Sequence, residues 1–399
     1  MSNFSTCVLG DKFERVTRKN TAGNTNVLTI SAQHGLINQF EYYNNQYASE
    51  DTSGYTLLRK GEFAYNKSYS EGYPLGATKK LERYESGIVS PLYICFAAKA
   101  GVCVDFYSHY FESEPFYREI YKIAQEGARN HGLLNVPAED FFQIKIADPP
   151  LAEQKRIAEI LGCCDRGIAL KKELIAEKKR QKKALMQKLL DPDSGFRLPG
   201  FAGKWTLKTI GSLASRKGDY GINAPACSYL PNLPRYIRIT DIDDNCKFIK
   251  DNNAYVDISD YEDYVLKESD IVFVRTGGTV GKSYVYNPED GKLVFAGFLI
   301  RFRFEEPTAD YRFIKQIIST DKYFQWVSIM SARSGQPGIN AEEYASYEFF
   351  APDLKEQQAI ADVLSAADKE IDLLEQELAQ QQQKKKSLMQ LLLTGIARV

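Results

Sequence analysis

PPLAEQKRIAEILGCCDRGIAL occupies residues 149–170, and PDLKEQQAIADVLSAADKEIDL occupies residues 352–373. The two stretches lie 203 residues apart and keep Pro, Leu, Glu-Gln, Ile-Ala, Leu, Asp and Ile in register. The same offset aligns KKALMQKLL (182–190) with KKSLMQLLL (385–393). Over 149–190 against 352–393, 18 of 42 positions are identical without a gap. Self-similarity at a fixed offset marks a repeated structural unit. Looser matches precede each copy: GARNHGLLNVPAEDF (127–141) parallels SARSGQPGINAEEY (331–344), and Leu9-Gly10-Asp11 parallels Ile210-Gly211-Ser212. The chain therefore reads as head, helix, head, helix.

Each stem opens on proline, which ends a preceding strand and can introduce a helix. Apolar residues then follow in steps of three and four. In the first stem they are Ile157, Leu161, Cys164, Ile168, Ile175, Leu185 and Leu189. In the second they are Ile360, Leu364, Ala367, Ile371, Leu374, Leu378, Leu388 and Leu392. That spacing suits the narrow seam of a coiled coil better than the broader stripe of a helix on a separate core, although the latter stays open. About 38 residues at 1.5 Å each span roughly 57 Å. Residues 153–190 carry 11 Lys/Arg against 5 Asp/Glu, while 356–393 carry 4 against 7. Opposite charge steers the stems toward each other. A pseudo-two-fold relation between the repeats makes the pair antiparallel; the sequence alone leaves a parallel pair open.

The heads read as mixed, β-rich domains. Val27–Ile30, Gly87–Phe96, Tyr236–Ile239, Ile271–Arg275, Ser283–Tyr286 and Leu293–Phe304 are rich in β-branched and aromatic residues. Helical patches follow near 115–129 and 309–330. The turn-rich segment Asp191–Gly203 reads as a linker. The expected class is α+β: a first head at 1–148, a first helix at 149–192, linker and second head at 193–351, and a second helix with tail at 352–399.

Composition narrows the chemistry. The 399 residues suffice for two domains, and the net charge is −1, which by itself disfavours a polyanion partner. Seven cysteines without a C-x-x-C pair and three scattered histidines offer no metal site. No apolar run is long enough to span a membrane and no signal segment is evident, so a cytoplasmic location is expected. TGGTVGKS (276–283) approaches a phosphate-cradling P-loop, but Thr276 stands where glycine is required and Tyr284-Val285-Tyr286 reads as strand. Asp148-Pro149-Pro150 approaches an amino-methyltransferase motif, but Leu151 replaces the aromatic that stacks on a flipped base. No catalytic centre is expected.

Polar, glycine-containing loops beside strands are the places for binding. The candidate binding residues, which the resemblance described below makes DNA contacts, are Asn66, Lys67, Ser68, Tyr69, Arg129 and Asn130 in the first head. In the second they are Arg275, Thr276, Thr279, Lys282, Arg333, Ser334 and Gln336. Lys and hydroxyl side chains suit phosphates; Arg, Asn and Gln suit base edges.

Together these segments resemble the specificity subunit of Type I restriction–modification systems. PPLAEQKRIAEIL with KKALMQKLL, and PDLKEQQAIADVL with KKSLMQLLLTG, carry the resemblance; NKSYSEGYPLGA (66–77), IRITDID (237–243) and VRTGGTVGKS (274–283) add to it. The resemblance implies two target-recognition domains on antiparallel helices, each reading one half of a split, asymmetric site in double-stranded DNA. It implies two docked methyltransferase subunits, with restriction subunits joining in some systems. It places S-adenosylmethionine, ATP and Mg on those partners and no cofactor on this chain. Two other readings stay open on the sequence: a self-contained DNA-modifying enzyme, and a coiled-coil scaffold whose heads bind other ligands.

Overall fold

The computed structural model describes residues 4–31, 35–45, 48–68, 72–126, 134–251, 254–332 and 335–399, with backbone alone at 125–126. It divides into two compact units, Met1–Glu173 with Gln376–Val399, and Leu174–Glu375. The division cuts both stems, so each unit holds a head, part of one long helix and part of the other. The helices run Leu151–Leu189 and Leu354–Leu393.

Their starts are fastened alike. The Gln154 side chain donates to the Pro149 carbonyl at 2.9 Å and accepts from the Cys103 amide at 3.2 Å. Gln357 donates to the Pro352 carbonyl at 3.0 Å and accepts from the Asp310 amide at 3.2 Å. A buried glutamine that satisfies two backbone groups explains why Glu-Gln recurs in the repeat.

In the first unit Lys171 pairs with Glu377 and Lys385 with Asp165. In the second Lys178 pairs with Glu370, Lys179 with Glu375, and Lys182 with Asp368. From Asp165 to Lys171 the partner falls from Lys385 to Glu377, and from Lys178 to Lys182 it falls from Glu370 to Asp368, so the two helical segments within each unit are antiparallel. The offset of the repeat carries Asp165 onto Asp368 and Lys182 onto Lys385, so the two ion pairs are repeat equivalents.

The ends of the seam do more than pair helices. Ile157 and Leu161 are buried with Leu392, Leu393 and the aromatic core of the first head. Ile360, Leu364 and Leu189, with Leu185 partly buried, join the core of the second. Ile175 and Ile371 are buried; Ile168, Leu374, Leu378 and Leu388 are half-buried. The three-four spacing thus serves helix pairing and head packing together. Each fully buried Leu or Ile contributes about 1.5–3 kcal/mol of transfer free energy.

Both heads carry one sheet plan. In the first, antiparallel strands lie in the order Phe13–Arg15, Ile94–Ala98, Phe63–Asn66, Ala77–Lys80. In the second the order is Arg216–Tyr220, Leu299–Arg303, Asp270–Val274, Ser283–Val285. A two-stranded ribbon closes each head: Thr6–Val8 with Lys145–Ala147, and Thr206–Thr209 with Glu348–Ala351. The first core is aromatic, with Phe63 and Phe96 stacked at 5.3 Å and Phe13 edge-on to Tyr107 at 5.1 Å. The second is organised around charge as well. Arg301, 1% exposed, donates to Asp219 and to the carbonyls of Val265 and Asp263, while Arg303 grips the buried Asp270.

Several expected boundaries shift. Leu293–Phe304 is two strands, Leu293–Phe295 and Leu299–Arg303, because residues 296–298 turn between a parallel partner, Arg235–Ile237, and the main sheet. Gly87–Phe96 likewise splits into Ser86–Val89 and Ile94–Ala98. The patch near 309–330 is two helices, Tyr311–Ile317 and Asp321–Met330, the second capped by Thr320, whose hydroxyl accepts from the Tyr323 amide. That near 115–129 is Glu114–Ile123, preceded by a helix at Val104–Tyr110 that the periodicity did not reveal. The linker is clipped down: Arg197 pairs with Glu356, donates to the Gly203 carbonyl and stacks on Trp205.

Candidate nucleic-acid interface

In the second head the loop after strand Asp270–Val274 returns at once to Ser283–Val285. The Val274 amide donates to the Lys282 carbonyl, and the Gly281 amide to the Val274 carbonyl. Gly281 has φ +87°, and a Cβ there would lie 2.5 Å from Val327 Cγ1, so glycine is required on both counts. A strand, Ser283–Val285, follows Lys282 of TGGTVGKS where a P-loop needs a helix.

A second loop docks on this hairpin. The Ile339 amide donates to the Arg275 carbonyl at 2.8 Å, the Gly277 amide to the Pro337 carbonyl at 3.1 Å, and Thr276 bridges Gly338. Segments 60 residues apart in sequence are thereby joined, and Arg275, Thr276, Thr279, Lys282 and Gln336 fall on one loop cluster. The Arg275 guanidinium lies 4.7 Å from the Tyr220 ring centroid and donates to the Gly297 carbonyl at 3.4 Å. Lys282 is less available than the sequence suggested, because Asp244 pairs with it at 2.5 Å. Gln336 is exposed, and Thr276 and Thr279 are half-exposed. Arg333 and Ser334 lie outside the described residues.

The first head repeats this junction. Asn66 ends strand Phe63–Asn66, and its side-chain oxygen accepts from the Ser68 amide at 3.1 Å. The Lys67 carbonyl accepts from the Leu134 amide at 3.0 Å, as that of Arg275 does from Ile339. Lys67 is half-buried and carries no ion pair among the described residues. Burial, and then the charge of nearby Arg15, pull its pKa below the usual lysine range. An ammonium so placed gains from an anion, a phosphate among them. Tyr69, Arg129 and Asn130 lie outside the described residues.

Sequence reasoning missed a feature of the second head. Beside Arg275 lies an open cleft of about 390 Å³, lined by residues 222–226, Tyr236, residues 238–240 and residues 296–298. Gly297 belongs to the cleft and accepts from Arg275, so the loop cluster and the cleft adjoin. Phe298, 58% exposed, stands on the lining, and Asn223 and Thr240 are exposed. The sequence signal is IRITDID (237–243), which marks the segment but not its contacts.

Among the described residues no group of three or more His, Cys, Asp or Glu is placed to hold a metal ion, and no helix is long and apolar enough to cross a membrane.

Residues 203–382 match the sequence model of the Type I restriction modification DNA specificity domain. The chain is 25% identical over 332 residues to the Type I restriction enzyme MjaVIII specificity subunit of Methanocaldococcus jannaschii, covering 79% of this chain and 75% of the relative. It is 26% identical over 309 residues to the putative MjaX specificity subunit of the same organism, covering 72% and 69%. The crystal structure of a Type I S subunit from M. genitalium superposes with TM-score 0.59 at 13% identity, over 98% of this chain and 96% of that one. A chain from a structure describing assembly and conformational transition of the type I R-M system gives TM-score 0.55 at 16% identity, over 98% and 97%. The structural likenesses show the fold.

Proposed function

We propose that this chain, a specificity subunit of a Type I restriction–modification system, supplies the DNA address and its partners supply the chemistry. Each head reads one half of a split site in double-stranded DNA, and the heads read unlike halves because their loop residues differ. The observation that carries this is the loop junction of the second head. Two distant segments are bonded together so that Arg275, Thr276, Thr279, Lys282 and Gln336 share one surface. Guanidinium and amide groups suit base edges, while hydroxyls and ammonium suit phosphates. In the first head Asn66, Lys67 and Ser68 take the same position, with Arg15 beside Lys67; Tyr69, Arg129, Asn130, Arg333 and Ser334 complete the proposed contacts. Two methyltransferase subunits, and restriction subunits where the system has them, would hold S-adenosylmethionine, ATP and Mg.

The near-neutral chain fits this reading because its charge is locally paired. Many stem lysines are matched to stem acids, and Lys67 in the first head carries no ion pair among the described residues. The test is to reconstitute the chain with its methyltransferase subunits and map methylated adenines on genomic DNA. A split motif is expected. Arg275→Ala is expected to relax only the half read by the second head, by about 5- to 150-fold at one base pair, the range of 1–3 kcal/mol for a bidentate contact. Unchanged methylation at every base of both halves would remove the assignment.

A further inference from the structure

Arg238, which lines the cleft beside Arg275, is held in an unusual way for a residue 31% exposed. Its Nε donates to Asp241 Oδ2 at 2.9 Å and its Nη2 to Oδ1 at 3.0 Å, while its own backbone amide donates to Oδ2 at 2.9 Å. Asp241 is wholly buried. Three bonds therefore fix both the plane and the direction of the guanidinium.

A guanidinium has five N–H donors in a rigid fork. Asp241 takes the edge made by Nε and one Nη2 hydrogen. The opposite pair, Nη1–H with the second Nη2–H, makes no hydrogen bond among the described residues. These two donors are parallel and preorganised, so little further side-chain entropy is lost when they bind. The complement of such a pair is a group with two adjacent acceptors. DNA offers two: O6 and N7 of guanine in the major groove, and two oxygens of a backbone phosphate.

The surroundings suit DNA. Exposed Asn223, Thr240 and Phe298 share the cleft, supplying an amide, a hydroxyl and an apolar ring. Arg275 borders it through Gly297. The feature belongs to the second head alone. The parallel bridge of Val27 with Ile88 corresponds to the pairing of Tyr236 with Val294, which puts Thr29, a buried residue, where Arg238 stands.

The geometry points to Arg238 as a DNA contact that grips a two-acceptor group of the duplex, with Asp241 as the residue that positions it. The inference rests on the second head reading DNA. The Arg238→Met/Asp241→Asn double variant removes the pair together, so no buried carboxylate is stranded; Arg238→Lys keeps a cation but loses the fork. Each is assembled with its methyltransferase subunits and titrated with duplexes carrying the mapped site, across a salt series and with each base pair of the second half replaced in turn. A phosphate grip predicts uniform weakening over all duplexes and a salt slope reduced by about 1, largely retained in Arg238→Lys. A guanine grip predicts about 5- to 150-fold loss of discrimination at one pair, not rescued by Arg238→Lys. Either result supports the contact. Affinity, salt slope and discrimination equal to wild type in both variants would overturn it while leaving the wider reading intact. Failure of the wild-type complex to prefer any split site would instead remove the reading on which it rests.

Discussion

Asp368 is the clearest place to test what holds the stem segments in register. Its Oδ1 accepts from Lys182, and its Oδ2 accepts from Gln316 at 2.9 Å and pairs with Lys315 at 3.4 Å. Asp368 is 23% exposed and Lys182 17%, so their pair is shielded, whereas Lys315 at 45% is screened by water. Burial alone would raise the Asp368 pKa, but the charge of Lys315 and the bond from Lys182 outweigh it and bring it below the usual range. Replacing the carboxylate by an amide removes one shielded charge-assisted bond, about 1.5–3 kcal/mol, and one screened pair, at most about 0.5 kcal/mol. Asp368→Asn should thus cost about 2 kcal/mol, a drop of roughly 4–8 °C for a cooperative unit near 200 residues. The repeat equivalent is an internal comparison. Asp165 is 43% exposed and meets Lys385, with His109 at 3.7 Å, so Asp165→Asn should cost about 1 kcal/mol or less. Calorimetric unfolding of both variants, with a double-mutant cycle of Asp368→Asn and Lys182→Met, measures the difference. A loss for Asp368→Asn no larger than that for Asp165→Asn, or a coupling indistinguishable from zero, would refute the argument.

Other outcomes follow from the same structure. Arg301→Ala leaves the Val265 and Asp263 carbonyls without their buried donor, while Asp219 keeps Arg216 at 3.1 Å, and is expected to destabilise the second unit by about 2–5 kcal/mol in denaturant titration; Arg301→Met, which keeps the volume, should cost no more. Gly281→Ala forces a left-handed backbone and a clash with Val327, so it should lower the melting temperature and weaken DNA binding together; Val327→Ala should recover part of the loss, and no recovery would remove the steric account. Burial, and then the charge of Lys385, hold the His109 pKa below 6.5 against the pull of Asp165. The unfolded chain therefore binds the extra proton first, and stability is lost as pH falls from about 6.5 through the folded value. The slope is at most about 1.4 kcal/mol per pH unit for one proton, and His109→Gln, the residue type found in the matching helix at Gln316, should flatten it in melts between pH 5 and pH 7.5.

The stems were legible because their constraints are local and repeated. A seam spaced at three and four, a proline start and a Glu-Gln pair fastening that start recur wherever the same geometry recurs. The head sheets were legible as strand-rich stretches, but their breaks were not. Nothing local in Leu293–Phe304 says that residues 296–298 leave a parallel partner for an antiparallel sheet. Arg301 illustrates the limit. In sequence it is a charge within an apolar strand, and only the arrival of Asp219 and two carbonyls from other segments allows it to be buried. The candidate site was half legible for the same reason. Loop composition pointed to Arg275 and Gln336, but the cleft walls at 222–226, 238–240 and 296–298 come from three separated segments.

This division between stem and head follows from what each must do. A pair such as Asp165 with Lys385, or Asp368 with Lys182, joins a residue of one stem to a residue of the other, so a change on one stem has to be matched on the other. Head loops bear no such mutual constraint. Their backbone junctions, Lys67 with Leu134 and Arg275 with Ile339, use main-chain groups that any side chain leaves in place. A sheet and junction held by backbone bonds and core aromatics can therefore present Thr29 in one head and Arg238 in the other without altering the fold. Two heads of one plan can then carry different side chains at equivalent positions, while the repeat survives where the helices meet.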